Sequence, residues 1–258
     1  MRATVITVCR NAAKTIGDTL DSVLSQKDVD LEYIVVDGAS TDGTWGLVVD
    51  RLSRLPQNDR FTCRYRSEGD GGMYEALNKG LAMATGDVVG LLNADDVFED
   101  AYTLASIVAG FSEATDAVYG DIRFVRGGRT VRYYSARHWK PWMHNWGYMP
   151  PHPSVYIRRE CFERLGGYRT DYRISADFEL MVRYFCRNGI RTRYLPRSMV
   201  RMSPGGLSTA GLGAMMRLNR ENVQANRANG YFCCLAMMLP KYFYKVLGVI
   251  SAKMRRER

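Results

Sequence analysis

The sequence predicts an α/β fold with a Rossmann-like, mainly parallel central sheet flanked by helices, and two observations carry that prediction. Through residue 111, short β-branched runs alternate with amphipathic stretches of helical period. Polar and acidic residues follow directly after each of the apolar runs. Strands separated by helices imply right-handed crossovers and parallel neighbours. In such sheets ligands gather outside the carboxyl ends of the strands.

Taken in order, TVITV (4–8) reads as a strand and 15–26 as a helix. LEYIVV (31–36) is a second strand and 44–55 a second helix. FTCRYR (61–66), the helix 73–84, VVGLL (88–92) and the helix 101–111 complete the alternating part. From residue 117 the pattern changes to paired strands, AVYGDIRFV and GRTVRYY, followed by the aromatic, Pro-rich loop HWKPWMHNWGYMPPHP, which has no periodicity. A strand at 154–157 and a short helix lead to a GGY turn, and 176–187 reads as a helix. Beyond Pro204 the pattern is helical again, and 231–252 is largely apolar.

With 258 residues, 46% of them hydrophobic, the chain can bury a full core, which excludes disordered and fibrous classes. The opening MRATVITVCRN lacks the basic, apolar and small-residue regions of a secretory signal, so the catalytic part is expected in the cytoplasm. The six cysteines show no CxxC spacing and sit mostly in apolar segments, so neither a disulfide framework nor a zinc site is expected. The net charge of +9 is concentrated in residues 241–258, where six basic residues face one acidic, so no nucleic-acid partner is expected. Neither GxGxxG after a strand nor GxxxxGK[ST] occurs, which argues against dinucleotide oxidoreductases and P-loop NTPases.

The residues that follow the strands carry the chemistry. LNADD (92–96) places Asp95 and Asp96 after a buried strand, where adjacent carboxylates repel unless a cation joins them. The bland alternative is a helix N-terminus that Asp96, Glu99 and Asp100 complement. Asp37 ends an otherwise hydrophobic strand and is suited to accept hydrogen bonds from a base or ribose, whereas Asp42 reads as a turn and cap residue.

The stretch SEGDGGMYEALNKGLAMATGDVVGLLNADD (67–96) resembles the signature of family 2 glycosyltransferases of the glycosyltransferase A fold, particularly those that assemble bacterial capsule, exopolysaccharide and O-antigen units. TVITVCRNAAKTIGDTLDSVLSQ, IVVDGASTDGT, VYGD and PHPSVYIRRECFERLGGYRTDYRISADFELMVR match as well, in the expected order, and together cover about four-fifths of the chain. The resemblance implies a catalytic domain over 1–208, its donor half about 1–115 and its acceptor half about 116–208, with a helical extension over 209–258. It implies that Asp37 recognises the nucleotide, that Asp95 touches ribose or the metal shell, and that Asp96 binds Mn²⁺ or Mg²⁺ across the diphosphate. Arg10, Asn11, Glu68, Asp70, Tyr74, Asn78, Lys79 and Asn93 would line the donor pocket, although Glu75 and Lys79 also read as a plain i,i+4 ion pair.

Asp177 in ISADFEL matches the family's catalytic base, which an inverting transfer needs opposite the leaving group; otherwise Asp177 and Glu179 decorate a helix N-terminus. Gly205 and Gly206 fit the family's Gly-Gly element near the donor phosphates, or a turn. His152 is structural or an acceptor or diphosphate contact, and Trp139, Trp142 and Trp146 stack on sugar, form a lid or face a membrane. Two departures stand out: Arg10 replaces the usual aromatic beside Asn11, and Glu68-Gly69-Asp70 replaces Glu-Pro-Asp, which makes that loop more flexible.

The expected function is therefore inverting, metal-dependent transfer from a nucleotide-diphosphate sugar, a UDP-sugar first, to a glycan or polyprenyl-linked acceptor. The basic, interrupted apolar tail suggests an interfacial helix on the inner face of the cell membrane, or a helix packed on its own domain or a second subunit. Nucleotidyltransfer and a non-catalytic glycan or membrane scaffold are the rival readings.

Overall fold

A computed structural model describes residues 1–205 and 211–242. The alternating half is β1 (Arg2–Cys9), α1 (Ile16–Leu24), β2 (Asp30–Asp37), α2 (Thr44–Leu52), β3 (Phe61–Ser67), α3 (Met73–Met83), β4 (Val88–Leu91), the two-residue β5 (Val97–Phe98) and α4 (Thr103–Ala109). The second half is β6 (Ala117–Arg126), β7 (Arg129–Tyr134), β8 (Tyr156–Arg158), α5 (Arg159–Leu165), α6 (Ala176–Met181), β9 (Thr192–Met202) and α7 (Leu212–Ala228). All the described strands join one sheet in the order β3-β2-β1-β4-β8-β6-β9-β5, with β7 on β6.

The parallel expectation holds for β3, β2, β1 and β4, which are the strands linked by helices. Past β4 the sheet is mixed: β8 runs antiparallel to both β4 and β6, and β6 then pairs in parallel with β9. Gly90 allows this join, since a Cβ there would collide with the ring of its register partner Tyr156.

Period-2 alternation buries both faces. Val5, Tyr33 and Val35 pack with Ile16, Leu20, Val48 and Ile107 of α1, α2 and α4 on one side, whereas Ile6, Ile34 and Val36 pack with Tyr74, Leu77, Cys161 and Phe178 of α3, α5 and α6 on the other.

Two strands escape the sequence pattern. β9 contains Pro196 and several charged residues, features that argue against a central strand. The structure accommodates that proline where the β6–β9 register shifts between the Tyr119↔Tyr194 and Asp121↔Ser198 pairs. β5 is too short to show a period. The helix expected over 176–187 is α6 followed by a π-helical turn at Val182–Arg187, and the strand expected at 154–157 begins only at Tyr156, after a 3₁₀ turn at His152–Ser154.

Candidate active site

The carboxyl ends of β1 and β2 are stitched together by short polar side chains. Asn11, with φ of 52°, donates its backbone N–H to Ser40 Oγ at 2.8 Å and accepts from Thr41 N at 2.9 Å. Asp42 accepts from Ala13 N at 3.0 Å and Thr44 N at 3.1 Å, the turn role its position suggested. Asp37, at the end of β2, is fully buried. Its Oδ2 accepts from Ser40 N at 3.0 Å and Ser67 Oγ at 2.6 Å, and its Oδ1 from the Ser40 hydroxyl and the Cys9 thiol. Burial would raise its pKa, but these hydrogen bonds outweigh it and hold the carboxyl below its ordinary value.

The 68–72 loop folds onto this rim. Glu68 N bonds to Asp37 O at 3.0 Å, and a Cβ at Gly38 would lie 2.7 Å from Asp70 Oδ2 and 3.5 Å from the Arg10 stem, so glycine is what lets Arg10, Gly38 and Asp70 meet. Asp70 accepts from Gly72 N at 3.0 Å. Lys79 reaches Glu68 at 3.0 Å, Glu75 at 3.2 Å and Gly69 O at 3.0 Å. The Glu75–Lys79 ion pair is thus present, and Lys79 also clasps the loop to α3.

On the other side of β1, LNADD follows β4. Because β2 and β4 flank β1, their ends lie about 10 Å apart. Asp95 is exposed, whereas Asp96 is 1% exposed. Asp96 Oδ2 accepts from Asn93 Nδ2 at 2.8 Å, and Oδ1 is buried with no hydrogen-bond partner among the described residues. Burial first, and the neighbouring Asp95 charge second, push the Asp96 carboxyl up to about 8. Ser203 Oγ donates to Asp95 O at 3.4 Å, which brings the SPG segment with exposed Gly205 to this rim. Gly206 lies outside the described residues.

Among the described residues no three His, Cys, Asp or Glu side chains form a cation cage. A buried carboxylate with an unsatisfied oxygen beside an exposed one nevertheless fits a hard divalent cation that takes its remaining ligands from phosphate and water.

Asp177 sits in the first turn of α6, half-buried. Its Oδ1 accepts from Phe178 N at 2.8 Å and lies 3.5 Å from the Tyr74 hydroxyl of α3. Burial raises its pKa to about 6, only partly offset by these donors. Tyr74 donates to Ile174 O and stacks on Tyr168 with ring centroids 6.0 Å apart. Asn78 commits both ends of its amide to the Tyr168 backbone, at 2.7 and 2.8 Å, and so clamps that tyrosine. His152 Nε2 meets the Tyr168 hydroxyl at 2.9 Å, and burial lowers the imidazole pKa to about 3, which keeps it neutral.

Two acids escaped the sequence reading. Glu221 of α7 accepts from the backbone N–H groups of Arg173, Ile174 and Ser175, at 3.3, 2.8 and 2.9 Å, immediately before α6. Asp121 of VYGD is buried and accepts from Tyr133, Ala136 and Tyr194, tying β6 to β7 and β9. Nothing in the sequence singled out Glu221, and VYGD marked the segment of Asp121 without giving that residue a role.

The three tryptophans separate. Trp139 is buried edge-on to Tyr119 and Phe185, while Trp142 and Trp146 are 56% and 38% exposed and form a T-shaped pair 5.1 Å apart. Residues 231–242, part of the segment expected at a membrane surface, pack on this loop: Cys233 Sγ reaches Asn145 O at 3.5 Å and the Tyr148 hydroxyl donates to Pro240 O at 2.9 Å. The rest of that segment, 243–258, lies outside the described residues, and no described helix is long and apolar enough to cross a membrane.

Comparison with known proteins places these features in context. Residues 4–198 match the family described as Glycosyl transferase family 2. A PGL/p-HBAD biosynthesis glycosyltransferase of Mycobacterium bovis is 32% identical over 187 residues, covering 72% of this chain and 70% of that protein. Among solved structures, the mannosyltransferase PcManGT from Pyrobaculum calidifontis, in complex with GDP-Man and Mn²⁺, aligns with a TM-score of 0.65 at 26% identity over 88% of this chain. The alignment spans 63% of the Pyrobaculum chain's length. The S. aureus TarS fragment in complex with UDP-GlcNAc aligns with a TM-score of 0.66 at 17% identity, over 95% of this chain and 73% of that one, a likeness of fold. With a glycosyltransferase A type fold and a family match that spans three-quarters of its length, the chain belongs to glycosyl transferase family 2.

Proposed function

We propose that the protein is an inverting, divalent-metal-dependent glycosyltransferase that moves a sugar from a nucleotide-diphosphate sugar, a UDP-sugar first, to a hydroxyl of a glycan or lipid-linked saccharide. The observation that carries this reading is that two carboxyls are raised by burial, Asp96 with an unsatisfied oxygen and Asp177 in contact with Tyr74. The Mn²⁺ bound by the Pyrobaculum enzyme and the UDP-GlcNAc bound by TarS support it.

In this reading Arg10 and Asp70 meet the nucleotide at the ends of β1 and β3, on a floor that Asp37, Asn11 and Ser40 keep rigid. Asp95 and Asp96 would hold the cation, with Asn93 fixing the Asp96 carboxylate. When bound, the cation neutralises charge that develops on the departing diphosphate. Asp177, its Oδ1 already engaged by Phe178 N, takes the acceptor hydroxyl's proton on Oδ2 as the new C–O bond forms opposite the leaving group. A base of pKa about 6 must be ionised, so transfer rises with pH through about 6. Trp142 and Trp146, with Phe232, Leu235 and Leu239 exposed on the adjoining segment, suit a peripheral position at a membrane where a lipid-linked acceptor resides.

A panel of UDP-glucose, UDP-N-acetylglucosamine, GDP-mannose and a thymidine diphosphate sugar, read as nucleoside diphosphate release with and without Mn²⁺ and saccharide acceptors, tests the reading. Asp177→Asn is expected to retain UDP and Mn²⁺ binding while transfer falls by at least about 100-fold. Transfer that survives Asp177→Asn removes the assigned base.

A further inference from the structure

We propose that Glu221 of α7 is a positioning residue of the transfer reaction, holding the 173–175 backbone from which α6 presents Asp177 to the acceptor. The inference rests on the reading of Asp177 as the base. The geometry is specific. Glu221 spans three consecutive backbone N–H groups, with Ile174 N and Ser175 N both donating to Oε2 and Arg173 N donating to Oε1. From the opposite side the Tyr74 hydroxyl binds Ile174 O, so the turn is gripped by α7 on its N–H groups and by α3 on a carbonyl. Ser175 is the residue before α6, and Glu179 N completes the first helical bond to Ser175 O at 2.9 Å. A shift of this turn therefore moves Asp177, two residues further on.

The same helix secures α6 again at its far side. Asn229, at the end of α7, donates to Glu179 Oε1 at 3.2 Å, and Glu179 pairs with Arg183, whose guanidinium binds the carbonyls of Leu165, Gly166 and Gly167. A surface helix packed only for burial has no need of a carboxylate aimed at a catalytic turn.

Charge adds a second consequence. The groups that face Asp177 from elements packed on it are the Tyr74 hydroxyl of α3, the Tyr168 ring system before α6, and the Glu221 carboxylate of α7. After burial, the Glu221 charge adds to what raises the Asp177 pKa, whereas Tyr74 and the Phe178 N–H lower it. Removing that negative charge eases ionisation, so the Asp177 midpoint moves to lower pH.

The test uses the full chain and compares wild type with Glu221→Gln, which removes the charge, and Glu221→Asp, which keeps the charge but withdraws the carboxylate by one methylene. Carboxyl ¹³C NMR titration, with the Asp177 resonance assigned through Asp177→Asn, needs no donor. Binding of UDP with Mn²⁺ is read by calorimetry, and transfer with the active donor and acceptor from the panel above. The midpoint is expected to fall in Glu221→Gln and to stay near wild type in Glu221→Asp. Transfer is expected to drop roughly 10- to 100-fold in both while UDP affinity holds within about twofold. Wild-type transfer in either variant, an unchanged midpoint in Glu221→Gln, or parallel loss of UDP affinity and transfer overturns the inference. Should Glu221→Gln fail to fold, Glu221→Asp alone decides on the split between transfer and UDP affinity. If Asp177→Asn itself transfers normally, the base assignment falls, which separates that failure from one confined to Glu221.

Discussion

Asp37 ends β2 and Asp96 lies beyond the carboxyl end of β4, on either side of β1, and both are almost completely hidden from solvent. Their chemistry nevertheless diverges. Asp37 receives donors from Ser40, Ser67 and Cys9 and is held below its ordinary pKa, whereas Asp96 receives Asn93 Nδ2 on one oxygen, has no donor on the other among the described residues and is pushed to about 8. Burial is common to both; what differs is how far the protein itself meets the demand of the charge. The loop after β2 satisfies its own carboxylate, and the loop after β4 leaves one carboxylate oxygen without a donor among the described residues.

Between these two loops the largest expected effect is that of Asp96→Asn on transfer, a loss on the order of 100-fold with UDP binding no longer responding to Mn²⁺. Calorimetry that shows an unchanged Mn²⁺ response would erase the contrast between the two loops. Next comes Asp37→Ala, which strands the donors from Ser40 and Ser67 and is expected to destabilise the fold by about 3 kcal/mol in urea titrations at pH 7. The Asp37 pKa is lowered on folding, so its contribution is present above the unfolded value and fades as pH falls, and the deficit of Asp37→Asn should shrink towards pH 3.

Asp96 has the opposite sign. Its folded pKa of about 8 lies above the unfolded value, so charging it erodes metal-free stability as pH rises from about 4 to 8. Metal-free Asp96→Asn is therefore expected to melt roughly 5 °C above wild type at pH 9 and about level with it at pH 4, read by calorimetric scans. A gain that is the same at both pH values would show that the carboxyl is not the cause. The smallest effect is that of Ser67→Ala, which removes one hydrogen bond to Asp37 and should cost about 1 kcal/mol without altering Mn²⁺-dependent UDP binding.

The alternation of strand and helix, and with it the four parallel strands and the rim they form, was legible because period and burial coincide there. β9 was hidden by Pro196, whose cost is absorbed at a register shift that only the pairing with β6 reveals. That Asp95 and Asp96 follow a strand and that Asp177 opens a helix could be read from local sequence. What each side chain does with its atoms could not: Asn78 holds the Tyr168 backbone, Lys79 closes a loop, and Trp139 fills the core. Glu221 was invisible for the same reason, since its partners are backbone groups 46 to 48 positions earlier.

Helix α7 is joined at once to the turn before α6 and to the tryptophan loop, where the buried Asn226 amide binds His144. Anyone grafting the second half of one relative onto another inherits that coupling. The transplantable piece is not residues 141–148 alone but those residues together with 212–242, and a chimera that exchanges one without the other would leave the contacts between that loop and α7 mismatched.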